Sequence, residues 1–224
     1  MKNYFTKFEI GLWSSSVILV TLSAIIFRGT DVFSVIASLI GVTALIFCAK
    51  GNPIGQGLII VFALMYGAIS FAFAYYGEMI TYMGMSLPMA VLSLISWLRN
   101  PYKGNKSQVK VNRIKLREVP LLVVLTVLVT ALFYFILKAL GTASLLASTL
   151  SVTTSFAAVY LTFRRSPFYA IAYALNDIVL LVLWSIAVAE DISYMSMIVC
   201  FAVFLANDTY SFINWIRMEK AQRE

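Results

Sequence analysis

Apolar runs of about twenty residues each dominate this sequence and leave it few ways to fold. They lie at about 10–27, 32–49, 53–75, 79–98, 119–140, 144–163, 168–187 and 193–215. An α-helix of that length crosses the roughly 30 Å of hydrocarbon in a bilayer. A transmembrane barrel would show alternating segments of about ten residues, whereas residues 121–137 are apolar on every face. The sequence therefore predicts an all-α integral membrane protein with eight transmembrane helices.

The composition agrees with that environment and argues against several classes of site. Of the 224 residues, 61% are hydrophobic and 12% are charged. This composition differs strongly from that of a soluble domain, so we predict that the protein lies in the lipid bilayer. The net charge of +7 could suggest nucleic acid, but the basic residues flank apolar runs, so no nucleic-acid partner is predicted. There is no histidine, and Cys48 and Cys200 stand singly in apolar runs. We expect neither a metal site nor a disulfide.

The distribution of Lys and Arg predicts an orientation. When the connecting segments are assigned alternately to two sides, one side receives fifteen of the 17 basic residues, among them those of both tails and of the 99–118 loop. The other side receives Arg28 and Lys138. Because cytoplasmic loops are enriched in Lys and Arg, both termini are predicted to be cytoplasmic. The first run could be a cleavable signal, but its length of about eighteen residues and the lack of a small-x-small site favour a retained helix.

Prolines mark where helices begin. Pro53, Pro120 and Pro167 each fall at the start of an apolar run, and the first turn of a helix tolerates a residue without an N–H. Pro88 is the exception, because it lies inside its run. We expect it to kink that helix.

An internal repeat is the most informative pattern in the chain. Four stretches match in the same order at offsets between 110 and 118 residues: 36–42 with 146–152, 52–53 with 166–167, 78–85 with 190–197, and 96–99 with 214–217. A single match between apolar helices carries little weight. Four matches in order predict a duplicated unit of three helices.

The repeat predicts how the chain is organised. The run at 119–140 lies between the two copies, so the second copy enters the membrane in the same direction as the first. We therefore predict an accessory helix in 1–30, a first three-helix repeat in 31–99, a basic loop and linker helix in 100–143, and a second repeat with a basic tail in 144–224. Such a parallel 3+1+3 core, with SWEET-like repeats, is a transporter architecture whose substrate site lies at the repeat interface near mid-membrane.

Two carboxylates fall near the centres of predicted spans. Asp177 follows Asn176 in one span, and Asp208 follows Asn207 in the last. An ionisable side chain at the bilayer centre costs about 3 kcal/mol or more, so it usually faces a cavity and has a function. Interhelical hydrogen bonding between the two Asn-Asp pairs is the structural alternative. The functional interpretation is a polar substrate site.

Aromatic, amide and hydroxyl side chains follow the same helix faces at steps of three and four residues. The predicted substrate-binding residues are Gln56, Tyr173, Asn176, Asp177, Trp184, Asn207, Asp208, Tyr210, Ser211 and Asn214. This combination suits a flat aromatic ring that carries an amide and a hydroxylated sugar, and a cationic ring would also stack on Trp near an Asp. Trp97 and Trp215 lie near helix ends and are candidates for interfacial anchors. No catalytic or cofactor-binding spacing is present, so we predict neither an enzyme nor a bound cofactor.

Three features occur together in this chain: the 3+1+3 plan, the Asn176-Asp177 pair, and a last span that contains Asn207-x-x-Tyr210-x-x-x-Asn214-Trp215 and ends in Arg217. In these features the chain resembles the PnuC-type nicotinamide riboside transporters of bacterial inner membranes. The resemblance covers about residues 31–220. It implies facilitated diffusion of the vitamin precursor, which a cytoplasmic nicotinamide riboside kinase then traps by phosphorylation, and it leaves room for a homo-oligomer. Relatives of this family carry thiamine or riboflavin, which are the first alternatives. A membrane scaffold or sensor without transport is the second.

Overall fold

A computed structural model describes residues 4–27, 32–72, 76–142 and 144–224 of the chain. Within those ranges, eight helical segments are long and apolar enough to cross a membrane. The all-α membrane fold is therefore confirmed. The helices are α1 Lys7–Phe27, α2 Val32–Ala49, α3 Pro53–Ala72, α4 Tyr76–Ile80, α5 Leu87–Leu98, α6 Val119–Ala139, α7 Leu145–Phe163, α8 Tyr169–Glu190 and α9 Met195–Ala221.

The helix ends differ from the predicted spans in a few places. The last helix continues to Ala221, six residues beyond the predicted end at 215, because its polar final turns extend past the apolar run. It is preceded by a 3-10 turn, Ile192–Tyr194. The predicted end of the third span, 73–75, lies outside the described residues, and so do Lys2 and Arg28 from the count of basic residues.

The fourth span is interrupted in the way that Pro88 predicts. Between α4 and α5, residues Thr81–Ser86 form a π-helix, and the Leu87 N–H donates to the carbonyl of Tyr82, five residues earlier. Pro88 has no N–H to offer the carbonyl four residues before it. The backbone therefore widens locally instead of continuing the regular α pattern, and such π segments are frequent at functional sites.

Six spans form a closed ring in the order α2, α3, α4–α5, α7, α8, α9 and back to α2. We refer to α2 to α5 as the first half and to α7 to α9 as the second half. Gly55 allows α3 to approach α2 closely, since a Cβ there would lie 2.6 Å from the backbone nitrogen of Cys48. Outside the ring, α1 packs against α2 and α9, while α6 packs against α7.

The segment after α5 is more ordered than the basic loop that the sequence predicts. Strands β1 Pro101–Tyr102 and β2 Asn105–Val109 pair antiparallel. Lys103 and Gly104 form the turn with φ angles of 48° and 79°, and two residues with positive φ are what a tight hairpin with a type I′ turn requires. Val109, at the end of β2, is completely buried against the helix bundle.

Candidate functional site

Two carboxyl groups meet between α8 and α9 near the middle of both helices. Asp177 is 3% exposed and Asp208 is 2% exposed, and their carboxyl groups interact directly with each other. Among the described residues, neither carboxylate forms an ion pair with Lys or Arg, and Asp177 Oδ2 and Asp208 Oδ1 receive no hydrogen bond. A buried acidic pair without a cation is costly, so this position suits a cationic or hydrogen-bond-donating ligand.

Predicted site residues from the same two helices lie beside this pair. Ser211, one turn after Asp208, is fully buried next to Tyr169. Tyr173 lies one turn before Asp177, and its hydroxyl is close enough to both Asp177 and Asp208 for an electrostatic interaction. The structure thus brings Asp177, Asp208, Ser211 and Tyr173 together.

A small cavity lies beside this cluster at the interface between the two halves. Its volume is about 20 Å³, and its lining includes Gln56, Ser93, Thr162 and Tyr173. Gln56 also donates from Nε2 to the Cys48 sulfur at 3.3 Å. The cavity holds about one water molecule, whereas pockets for small organic ligands measure roughly 300–1,000 Å³. The helices must therefore move apart before a nucleoside-sized ligand can enter here.

Asn176 faces a different neighbour from Asp177. Its Oδ1 accepts hydrogen bonds from the hydroxyl groups of Ser151, Thr154 and Ser155, at 2.9–3.1 Å. All three donors lie on α7, so Asn176 joins α7 to α8. This is interhelical bonding, but to α7 and not between the two Asn-Asp pairs as the structural alternative had it.

The polar side chains of α9 divide between two faces. Asn207 donates to Ser16 Oγ of α1 at 3.0 Å, and the Tyr210 hydroxyl donates to Glu9 Oε1, also of α1, at 2.8 Å. Asn214 donates to the carbonyl of Ala49 in α2 at 2.8 Å. These three residues therefore face α1 and α2, away from the Asp177–Asp208 pair, although Asn207 Oδ1 is buried and receives no hydrogen bond from the described residues.

Trp184 lies nearer the end of α8 at Glu190 than the carboxyl pair does. Its ring is half-buried and packs on that of Tyr194, with the ring centroids 5.5 Å apart. The structure places Trp184 about two helical turns beyond Asp177. Along the helix axis it therefore lies between that end of the bundle and the pair.

The first half contributes aromatic residues that the sequence analysis did not select. The rings of Tyr66 and Tyr82 lie 4.5 Å apart, and Phe62 packs edge-on against Tyr82 at 6.0 Å. Tyr82 belongs to the π-helical segment and lies close enough to Asp177 to interact with it electrostatically. The one available signal was the interior Pro88, since the distortion that it causes directs Tyr82 inward.

The two tryptophans at the helix ends are not interfacial anchors, and that expectation was wrong. Trp97 and Trp215 are fully buried and pack on each other with their ring centroids 5.4 Å apart. The Trp97 indole donates to the carbonyl of Thr162 at 2.9 Å, and the Trp215 indole donates to that of Cys48 at 2.8 Å. Both indole nitrogens are therefore paired inside the bundle instead of reaching the lipid headgroups.

These bonds join positions that the predicted repeat makes equivalent. Thr162 and Cys48 are 114 residues apart, which is also the offset between Ser166-Pro167 and Asn52-Pro53. The preceding residues behave alike, because Ser96 donates to the carbonyl of Phe163 while Asn214 donates to that of Ala49. The third helix of each half thus caps the final carbonyls of the first helix of the other half.

The end of the bundle where α2, α5, α7 and α9 finish is here called the basic end, because Lys50, Arg99, Arg164 and Arg217 lie there. Arg164 pairs with Glu118 just before α6, and Arg165 donates to Ser96 Oγ at 3.1 Å. Burial and the neighbouring Arg164 charge lower the pKa of Arg165. The basic end is therefore densely bonded and closed.

Comparisons with known proteins agree on one family. The sequence profile described as nicotinamide mononucleotide transporter matches residues 31–217. The nicotinamide riboside transporter PnuC of Neisseria mucosa is 22% identical over 219 residues, which is 96% of this chain and 83% of that protein. The crystal structure of the vitamin B3 transporter PnuC superimposes with a TM-score of 0.78 at 21% identity, covering 97% of this chain and 94% of the other. The last similarity shows that the two proteins share a fold.

Proposed function

This chain belongs to the nicotinamide mononucleotide transporter family, and on that premise we propose that it carries nicotinamide riboside across the bacterial inner membrane by facilitated diffusion. The observation that carries the proposal is the buried pair of Asp177 and Asp208 at mid-span, which has no basic partner among the described residues. The pyridinium ring of nicotinamide riboside is a cation and would provide the missing positive charge. Tyr173 beside the pair and Tyr82 across from it supply aromatic surface for that ring.

The polar groups around the pair fit the rest of the nucleoside. Carboxylate oxygens accept hydrogen bonds from ribose hydroxyls, while Gln56 and Ser211 offer both donors and acceptors for a carboxamide. The predicted contacts from Asn176, Trp184, Asn207, Tyr210 and Asn214 remain part of the proposal. Of these, Trp184 and the free Oδ1 of Asn207 require the least rearrangement, because the other three already bond to neighbouring helices.

The same chemistry favours the nucleoside over its phosphorylated form. A phosphate monoester carries about −1.5 to −2 charge near neutral pH. Lys and Arg are confined in this chain to tails, loops and helix ends, so nothing at mid-span would neutralise that charge beside two carboxylates. We therefore assign nicotinamide riboside, and not the mononucleotide, as the substrate.

Transport would proceed along the interface between the two halves, where parallel-repeat transporters hold their substrates. The chain would alternate between openings at the two ends of the bundle. Because the ligand is a cation, a membrane potential that is negative inside favours its entry by about 2.3 kcal/mol per 100 mV. Phosphorylation by a cytoplasmic kinase would then trap it inside, so no second energy source is needed.

We propose that the basic end faces the cytoplasm, since that side carries most of the Lys and Arg. The hairpin tip at Lys103 and the loop at Asp191 lie near opposite ends of the bundle, and both side chains are exposed. Single-cysteine variants Lys103→Cys and Asp191→Cys allow a direct test in intact cells. A membrane-impermeant maleimide should label the second and spare the first, and the reverse pattern would contradict the orientation.

The substrate assignment is tested with purified protein in detergent and then in liposomes. Thermal stabilisation is measured with nicotinamide riboside, the mononucleotide, nicotinamide, thiamine and riboflavin. We expect stabilisation by nicotinamide riboside alone, followed by exchange of labelled nicotinamide riboside across proteoliposomes. Stabilisation by thiamine or riboflavin instead would move the assignment to that vitamin, and binding without exchange would argue for a sensor.

A further inference from the structure

The hairpin after α5 continues into a segment that connects the two halves at the basic end. We call residues 100–112 the strap. The Val109 N–H donates to the carbonyl of Gly51 at 2.8 Å, and the Asn112 N–H donates to the carbonyl of Arg165 at 2.9 Å. Gly51 lies between α2 and α3, and Arg165 lies between α7 and α8. A single short segment thus bonds to both halves.

The strap binds the same structural point in each half. Gly51 and Arg165 are 114 residues apart, and both have left-handed backbones, with φ of 64° and 57°. Positive φ is uncommon for a residue with a side chain, so Arg165 holds a conformation that glycine adopts freely. The shared geometry presents an outward carbonyl from each loop, and the strap uses both.

Gln222, just beyond α9, holds the strap from a third side. Its side-chain nitrogen donates to the carbonyl of Val109 at 3.0 Å, and its side-chain oxygen accepts from the Val111 N–H at 2.8 Å. Asn112 adds a side-chain bond to the carbonyl of Arg164 at 3.0 Å. The strap therefore cannot leave the bundle without losing bonds to the first half, the second half and the C-terminal tail together.

The strap also covers the buried tryptophans. Val109 is fully buried in one apolar cluster with Trp97, Trp215 and Met218. The native thiol of Cys48 belongs to this cluster as well. Any opening of the basic end that separates the two indoles must therefore displace Val109 and expose Cys48.

From these contacts we propose that the strap, which continues directly from α5 of the first half, is the lock of the basic end: it holds the two halves together there, and it must detach from the second half each time substrate passes. This inference rests on the proposed function as far as substrate passage is concerned. The opening itself is a property of the protein alone and can be measured without substrate.

The first test fixes the strap to the second half. Variant Asn112→Cys/Arg165→Cys, made where Cys48 and Cys200 are alanine, places two thiols on residues joined by a backbone hydrogen bond, a separation compatible with a disulfide. Oxidation should reduce exchange of labelled nicotinamide riboside in proteoliposomes by about tenfold or more, and a reductant should restore it. In detergent, the affinity of the oxidised protein for nicotinamide riboside should stay within about threefold of that of the reduced protein, because the binding site lies deeper in the bundle than the strap.

A matched control uses the same chemistry within the hairpin. Tyr102 and Asn105 are paired across β1 and β2, so Tyr102→Cys/Asn105→Cys links the hairpin to itself and to neither half. Its oxidation should leave exchange unchanged. If the oxidised Asn112→Cys/Arg165→Cys protein exchanges at the rate of this control, the strap does not move during transport and the proposal is overturned.

The second test loosens the strap and needs no substrate. In a Cys200→Ala background, the rate at which N-ethylmaleimide labels Cys48 reports how often the basic end opens. Gln222→Ala removes both side-chain bonds to the strap and should raise that rate by about tenfold. The control Arg223→Ala alters the next residue, whose side chain pairs with Glu219 of α9 and makes no bond to the strap among the described residues, and should leave the rate unchanged.

The two tests separate failure of the lock from failure of the proposed function. If no variant exchanges nicotinamide riboside but Gln222→Ala still accelerates labelling of Cys48, the lock stands and the substrate assignment fails. If exchange is normal while Cys48 is labelled equally fast in Gln222→Ala and Arg223→Ala, the lock is refuted and the substrate assignment stands.

Discussion

Trp97 and Trp215 pack ring against ring at the basic end, with their centroids 5.4 Å apart, and each indole bonds to a backbone carbonyl of the opposite half. Neither half could satisfy its final carbonyls in the same way alone. At this end, the third helix of each half therefore donates hydrogen bonds to the last carbonyls of the first helix of the other half. Both tryptophans are fully buried, so separating the halves would expose two large apolar rings and break two hydrogen bonds.

Removing the indole hydrogen bonds one at a time should reveal their equivalence. Trp97→Phe and Trp215→Phe each keep an aromatic ring but lose one hydrogen bond to a carbonyl that still accepts a backbone N–H, from Arg165 at Thr162 and from Gly51 at Cys48. Each should lower the free energy of unfolding by about 0.5–1.5 kcal/mol. Because the two bonds are equivalent, the losses should be similar. Thermal unfolding in detergent measures them, with Trp13→Phe as the control, since the Trp13 indole donates at 3.2 Å in an exposed contact. A large loss from only one variant would contradict the equivalence.

The spans could be predicted from the sequence because hydropathy over twenty residues and proline at a helix start act locally. Burial of Trp97 could not, since an aromatic ring near a helix end looks the same whether it faces lipid or a second tryptophan from 118 residues away. The hairpin at 101–109 was also missed. Its turn, Lys103-Gly104, lacks the Asn-Gly or Asp-Gly pair that signals a type I′ turn most strongly.

The candidate site was predicted in part. Helical spacing placed Asp208 and Ser211 on one stripe of α9, and Asn207, Tyr210 and Asn214 on another only 100° away. Steps of three and four residues connect the two stripes, so spacing alone merges them. Which stripe faces the other half and which faces α1 depends on how whole helices pack, and the sequence of one helix does not contain that information.

The attachment of α1 depends on a buried ion pair. Lys50 Nζ donates to both oxygens of Glu9 at 2.9–3.0 Å, and Tyr210 donates to the same carboxylate. Glu9→Gln should lower the free energy of unfolding by about 1.5–3 kcal/mol, the usual value of hydrogen bonds to a charged group. Glu219→Gln, which disrupts a partly exposed pair between α9 and Arg223 just beyond its end, should cost about 1 kcal/mol or less. Equal losses of stability in thermal unfolding would show that the contacts of Glu9 contribute no more than those of Glu219.

Asn207 has one free atom that distinguishes a binding role from a purely structural one. Its Nδ2 bonds to Ser16 and to the carbonyl of Val203, whereas its Oδ1 is buried without a donor. Asn207→Ala should therefore weaken nicotinamide riboside binding by about tenfold. Ser16→Ala removes only the contact to α1 and should leave the affinity within about twofold. If titration calorimetry shows equal losses for both variants, Asn207 acts by holding α1 in place.

Asp177 is expected to act as a counter-ion to the ligand. Asp177→Asn keeps the shape of the side chain but removes a negative charge, so affinity for nicotinamide riboside should fall about tenfold or more. The reduced form of the nucleoside has an uncharged ring, so the affinity of the same variant for it should fall only slightly. Asp191→Asn makes the same change at an exposed loop position and serves as the control. Equal losses for the charged and uncharged ligands would assign Asp177 to the ribose hydroxyls instead.

Transport should not be coupled to a proton or sodium gradient. Among the described residues, no group of three or more His, Cys, Asp or Glu side chains could hold a metal ion, and the two mid-span carboxylates face each other with no further acid beside them in the central turns of α8 and α9. If a cationic ligand occupies that pair, neither of its two carboxylates is free to carry a co-ion. The measurement uses proteoliposomes with equal nicotinamide riboside on both sides and the potential clamped at zero. Labelled substrate should exchange, and neither gradient should produce net uptake.

Imposing a potential that is negative inside should drive accumulation toward about fiftyfold per 100 mV, since about 2.3 kcal/mol acts on a single charge. Uphill uptake driven by protons or sodium at zero potential would contradict facilitated diffusion and would identify the Asp177–Asp208 pair as a site shared by substrate and co-ion.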